Sequence, residues 1–309
     1  MVTFRANSSL VTHLLRGLQH RIWRQCYKRK TPNWRVVHRQ GIKWVLRQDF
    51  YLDRELLLNG VFEERTTALL YASIQEGMNA IDVGANFGYF TLLLAKLVGP
   101  TGHVYAFEPT SHYRQRLDRH LVANGSPINV SVFPFGLSDS ARDTQIEFVE
   151  SSASCHNPET TELFGTETIA LRRLDDLFSA GLVPKADFVK VDIDGHEPFF
   201  FAGATAFLRA ARPSLLVEFS QSNLEVAGSS ALALKEQIES LEFTLFSEST
   251  GEPFRSRIAF LQECGNYSHS ANVWAIPEER GLSSLTQPWS GATGLTRTLR
   301  PDSQEPPTS

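Results

Sequence analysis

Cysteine is scarce in this chain. Cys26, Cys155 and Cys264 are odd in number, far apart and in no C-x-x-C pair. That pattern excludes a disulfide framework and a cysteine zinc site, and it makes a reducing compartment the default expectation. No apolar run approaches the roughly 20 residues that a membrane-spanning helix needs. The amino terminus has no unbroken apolar stretch ahead of a small-residue cleavage site, so no secretory signal is expected. Acidic residues are missing from one segment: residues 1–48 hold eleven of the 30 Lys and Arg and no Asp or Glu. The rest of the chain therefore carries 19 basic against 34 acidic side chains, a polarity that suggests an interaction arm and says nothing about fold. Also missing are an internal repeat and any His/Cys/Asp/Glu spacing that calls for a metal; none is expected.

What the 309 residues do contain is an ordinary globular composition, 42% hydrophobic and 21% charged. Three regions follow from it. Residues 1–48 form the basic arm, with a helical period over Ser9–Tyr27 whose polar face carries Arg16, His20, Arg21 and Arg24. Residues 49–277 form the main domain. Residues 278–309 are rich in Ser, Thr, Pro and Gly and are expected to be disordered. The arm is open to three readings: contact with an anionic membrane surface, docking on a partner, or packing on the core. Its acid-free, Arg-rich start also matches an organellar transit peptide, and otherwise a cytoplasmic location is expected.

In the main domain, short apolar runs alternate with helix-period segments. Strands are expected at Ala80–Val83, Val104–Phe107, Val130–Phe135, Phe188–Ile193 and Leu215–Phe219. Helices are expected at Tyr89–Val98, Ser111–Ala123, Phe199–Ala211 and Ser230–Leu241. "DTQIEFVE" and "ETIALRRLDDLF" read as an inserted strand and a strand-to-helix unit. Phe243–Phe246 and Asn272–Ile276 read as an antiparallel edge hairpin across a long loop without a clear helix. The fold class is α/β: a mostly parallel, Rossmann-like sheet with helices on both faces.

In such a sheet, ligands bind beyond the carboxyl ends of the strands. "NAIDVGANFGYF" puts Asp82, Gly84, Asn86 and Gly88 at the end of the first strand and the start of the next helix. Glycines there allow a close backbone approach to a ligand, or serve only a tight turn. The spacing is G-x-x-x-G, so the G-x-G-x-x-G dinucleotide fingerprint is absent and an NAD-type oxidoreductase is disfavoured. Glu108 closes the second strand, where a carboxylate can accept both hydroxyls of a ribose.

"IDVGANFGYFT", "HVYAFEP", "FGLSDS", "FVKVDIDGHE", "FAGA" and "LLVEFS", in that order, resemble the FkbM family of S-adenosylmethionine-dependent methyltransferases. The upstream "GVFEERTT" is similar to that family's lead-in. The resemblance spans about residues 50–276. It implies a class I methyltransferase fold and methyl transfer, commonly to a hydroxyl of a sugar, glycan or natural product. It also implies that Asp82, Gly84, Asn86 and Gly88 hold the methionine and ribose of the cofactor, and that Glu108 binds the ribose hydroxyls. The turn Gly136–Leu137–Ser138–Asp139 would lie beside adenine, and Asp192 would face the sulfonium. Asp194 stands where the family often has Glu.

"VDIDGHEP" gathers Asp192, Asp194, His196 and Glu197 where a strand gives way to a helix. A hydroxyl acceptor must lose a proton, and His196 is chemically suited to take it, with Asp192 and Asp194 beside it. Glu197 is open between a capping-box role with Asp194 and acceptor contact, and Glu218 between acceptor contact and an ion pair. His156 lies in a polar loop and belongs to an acceptor lid or to the exposed surface. A non-catalytic nucleoside-binding module that docks a partner remains the rival reading. No specific nucleic-acid binding is expected.

Overall fold

The computed structural model describes residues 34–148, 153–154 and 165–280. Its first element lies inside the segment assigned to the basic arm. Strands β1 (Trp34–Arg39) and β2 (Ile42–Arg47) pair antiparallel about the Gln40–Gly41 turn. The alternation in β2 turns Ile42, Trp44 and Leu46 inward, all three buried. Trp44 stacks on Tyr89 at 5.2 Å and meets the edge of His120, while Lys43 exchanges backbone hydrogen bonds with the Asn124 amide at 2.9 and 2.7 Å. The hairpin thus packs onto the body through the helices that carry those residues, and a boundary at 48 cuts through packed structure. The Ser9–Tyr27 period and residues 281–309 of the tail lie outside the described residues. Residues 278–280 form a short helical turn tied down by Arg212, which pairs with Glu279 at 2.7 Å.

The main sheet has seven strands. β3 (Asn79–Val83), β4 (His103–Phe107) and β5 (Val130–Phe133) run outward from the centre in one direction. β10 (Phe188–Val191) and β11 (Ser214–Phe219) run outward in the other, and all five are parallel. β12 (Phe243–Ser247) and β13 (Ala271–Pro277) complete the order β12-β13-β11-β10-β3-β4-β5. The order reverses between β3 and β10, which is where a crevice opens at the strand ends. Helices cover both faces, and a hydrophobic core lies on each side of the sheet.

Several expected elements shift for physical reasons. The strand expected over Val130–Phe135 stops at Phe133, because Pro134 has no N–H for the ladder. The chain then enters a separate sheet, in which β6 (Gly136–Leu137) pairs parallel with β9 (Gly165–Arg172). β9 in turn pairs antiparallel with β7 (Arg142–Phe148), which carries the two-residue β8 (Ala153–Ser154). The helix expected over Phe199–Ala211 is two, Glu197–Gly203 and Thr205–Ala211, broken at Ala204. β12 and β13 do pair antiparallel at one edge, but β13 lies inside, between β11 and β12. The connection between them also contains a helix, Arg257–Cys264, capped by the Ser256 hydroxyl, which accepts from the Ala259 N–H at 3.1 Å.

Candidate functional site

At the reversal point, the carboxyl ends of β3, β4 and β10 border a cleft. Gly84, Asn86, Glu108, Leu137, Asp192, Asp194 and His196 line it, with apolar walls from Phe107, Ile146, Ile169 and Leu171.

The two glycines of the first loop serve the chain's own approach to itself. Gly84 has φ +84°, and a Cβ there would fall 1.9 Å from the Asp192 carbonyl oxygen. Gly88 has φ +92°, and a Cβ there would fall 2.3 Å from Leu117 Cδ1 on the neighbouring helix. Gly84 therefore lets β3 and β10 close together at the cleft floor. Gly88 seats the Tyr89–Val98 helix against the Ser111–Ala123 helix and is not part of the lining. Between them, the Asn86 N–H donates to Glu108 Oε2 at 2.9 Å. Glu108 Oε1 accepts from the Thr110 N–H at 2.9 Å and the Thr110 hydroxyl at 2.6 Å. Burial pushes the Glu108 carboxyl upward in pKa, and those three donors oppose the shift. Asp82 is buried and does not line the cleft. Its Oδ2 accepts from the Thr91 hydroxyl at 2.6 Å, and its Oδ1 has no hydrogen-bond partner among the described residues.

The turn after β5 divides. Gly136 and Leu137 reach the cleft, whereas Ser138 is buried behind it and half-exposed Asp139 pairs with Arg142 at 2.5 Å. That hydrogen bond from Arg142 holds the Asp139 carboxyl below its ordinary pKa. The His196 Nε2 shares a hydrogen bond with the Ser138 hydroxyl at 2.9 Å, and its ring stacks on Phe199 at 4.6 Å. The histidine is thereby fixed to the Leu137 side of the cleft.

The opposite side is a crowd of carboxylates. Asp194 has φ +52°, a left-handed conformation that turns the chain at the cleft. Burial, then the charges of Asp192 and Glu197, raise its pKa well above the ordinary carboxylate range. Glu218, at the end of β11, is raised for the same reasons: burial first, then Asp192 and Asp194. Glu197 does not line the cleft. Its Oε1 accepts from the Ile193 N–H at 3.0 Å and the Gly195 N–H at 3.4 Å, so it closes its own turn, and burial pushes it up to about 7.

Two residues here escaped the sequence reading. Lys190, only 2% exposed, reaches from the middle of β10 to Asp192 Oδ2 at 2.5 Å and passes over the Phe90 ring at 4.6 Å. Glu63, at φ +44° ahead of the Glu64–Ser73 helix, accepts from the Asn272 amide at 2.8 Å and feels the Lys190 charge. The signal for Lys190 was present: a lone cation inside the apolar run "FVKV" of a fully buried strand must have a partner. Among the described residues, no group of His, Cys, Asp and Glu is arranged to hold a metal ion, and no helix is long and apolar enough to cross a membrane. His156 lies outside the described residues.

The seven-stranded order with its reversed β13, and a cleft between an anchored Glu108 and the Asp192–Asp194 turn, define a class I S-adenosylmethionine-dependent methyltransferase. A family model, the methyltransferase FkbM domain, matches residues 82–266, more than half of the chain, and the protein belongs to that family. The chain is 32% identical over 148 residues to the hexuronic acid methyltransferase AglP of Haloferax volcanii, covering 48% of this chain and 59% of AglP. It is also 32% identical over 94 residues to a protein-L-isoaspartate O-methyltransferase of Methanothrix thermoacetophila, covering 29% and 44%. It thus spans about three-fifths and under half of these relatives. A crystal structure of an FkbM methyltransferase from Methylobacillus flagellatus is 15% identical, with a TM-score of 0.43, over 67% of this chain and 47% of that one.

The family's methyl donor is S-adenosylmethionine, and the residues present fit it. The cleft combines apolar walls with an anchored carboxylate at one side and carboxylates at the other, as a nucleoside bearing a cationic substituent requires.

Proposed function

We propose that the protein is an S-adenosylmethionine-dependent O-methyltransferase that acts on a hydroxyl of a sugar or glycan. The observation that carries this reading is the Asp192–Asp194 turn at the cleft, opposite Glu108. Glu108 would accept from the ribose hydroxyls, Leu137 would cover the base, and Asp192 would face the positive charge of the donor. When bound, S-adenosylmethionine supplies an electrophilic methyl group on a sulfonium. The chain's own part is to orient the acceptor oxygen and to take its proton. Asp194 is the group we assign to that proton: it lines the cleft, and burial among acidic neighbours makes it a stronger base than an ordinary carboxylate. His196 lines the same cleft, but its Nε2 is engaged by Ser138, so we assign it to the wall beside the base. The relative AglP, a hexuronic acid methyltransferase, supports a sugar acceptor.

Incubation with methyl-labelled S-adenosylmethionine and a panel of neutral, amino and hexuronic acid glycosides tests the reading. The expected product is a labelled sugar whose methyl survives mild alkali, as an ether does. An alkali-labile label on a hexuronic acid would mean transfer to a carboxylate and would overturn the hydroxyl assignment. Tight donor binding with no transfer to any acceptor would favour a non-catalytic module.

A further inference from the structure

Lys190 is the one charged side chain in the all-buried strand β10, and it does not line the cleft. Its ammonium is the shared counter-ion of three carboxylates from three elements: Asp192 at the end of its own strand, Asp82 across the ladder on β3, and Glu63 ahead of the Glu64–Ser73 helix. Asp192 in turn faces Asp194, Glu197 and Glu218, all acidic. We propose that Lys190 is a positioning residue: from inside the sheet its ammonium ties the Asp192 carboxylate in place and aims it at the cleft, where it meets the cationic methyl donor. This inference rests on the methyltransferase reading above.

Five carboxylates, from Glu63, Asp82, Asp194, Glu197 and Glu218, each feel the charge of Asp192, and like charges at short range push it away unless a neighbouring cation anchors it. The cation over Phe90 is itself desolvated, so its partners hold it protonated and it cannot act as a base. Of its partners, Asp192 is the one that lines the cleft. The lysine therefore acts on the ligand only through Asp192.

S-Adenosylmethionine carries a sulfonium and S-adenosylhomocysteine a neutral thioether, so the ratio of their affinities reports the charge that the site presents. Calorimetry with both ligands at one pH gives that ratio for the wild-type protein. In Lys190→Met, which leaves Asp192 without its anchor, the ratio should fall about tenfold. Asp192→Asn should lower the ratio by a similar factor, and adding Lys190→Met to it should change the ratio no further. If Lys190→Met alone does not fold, the neutral double variant, which leaves no partnerless charge at that pair, carries the same comparison. A Lys190→Met protein that weakens both ligands equally would make Lys190 a packing residue and overturn the proposal. So would an unchanged ratio in Asp192→Asn, or a double variant with a lower ratio than Asp192→Asn. A wild-type protein that binds neither ligand would instead overturn the methyltransferase reading beneath it.

Discussion

At Glu108 the carboxylate is fixed by an N–H twenty-two residues back and by the N–H and hydroxyl of Thr110, two residues ahead, all in the turns that end β3 and β4. At Asp192 the carboxylate is fixed by a lysine inside the sheet, among acids contributed by β3, β10, β11 and the loop before the Glu64–Ser73 helix. The first wall is built from two backbone N–H groups and a hydroxyl, none of which titrates. The second is built from charges that set one another's protonation. One wall is suited to hold a ligand in a fixed place, and the other to respond when charge or protons move.

The largest effect that separates the walls is expected at Asp194. Asp194→Asn should lower turnover roughly 10²- to 10⁴-fold, the usual contribution of a general base, while affinity for S-adenosylmethionine stays within a few-fold. Asn tolerates the left-handed backbone at this position, so the turn should survive. Single-turnover kinetics and calorimetry on the same preparation check both halves. A variant that keeps its turnover would move the proton to Glu218, His196 or water.

Glu108→Ala should do the opposite. Losing hydrogen bonds to a buried charged acceptor costs about 1.5–3 kcal/mol, a roughly ten- to hundredfold loss of donor affinity. Glu108→Gln should lose less, because its amide oxygen can still accept from the Asn86 or the Thr110 N–H. Thermal unfolding of both variants separates the ligand contact from the loop's own stability. If Asp194→Asn weakens donor binding as much as Glu108→Ala does, the two walls are not separable in function.

The asymmetry also accounts for what the sequence disclosed. β3, β4, β10 and β11, and the helices Tyr89–Val98 and Ser111–Ala123, were legible because apolar periodicity and strand length are local properties. Asp82, Glu108 and Asp192 were likewise placed at strand ends by local pattern. The purpose of Gly84 and Gly88 was not legible, since the atoms they make room for, the Asp192 carbonyl and Leu117, are contributed from elsewhere in the fold. Nor was the hairpin at residues 34–47: eleven cations drew the eye to charge, while the inward stripe of Ile42, Trp44 and Leu46 carried the packing. Glu63 could be tied to Lys190 only in three dimensions. The Arg257–Cys264 helix was within reach, since a capping Ser256 precedes an apolar period at Ile258, Phe260, Leu261 and Cys264.

The smallest effect expected concerns Glu197, and it separates a capping role from a catalytic one. Glu197 Oε1 accepts from the Ile193 and Gly195 N–H groups, and burial pushes its pKa from 4.5 up to about 7. A carboxylate whose pKa is higher in the folded state binds more protons there than in the unfolded chain between those two values. Stability therefore falls as pH rises through the window of about 4.5 to 7 and is level above it. Glu248, also pushed up to about 7 by burial, contributes in the same direction, so the informative quantity is the difference between variant and wild type at each pH. Glu197→Gln keeps an oxygen for the Ile193 N–H and has no proton to lose. It should match the wild type near pH 5 and exceed it by about 1–3 kcal/mol at pH 8 in urea unfolding, with most turnover retained. A variant less stable than wild type at pH 8 would mean that the turn needs the full charge of the carboxylate. One of normal stability but with turnover reduced a hundredfold would move Glu197 from the turn into the chemistry.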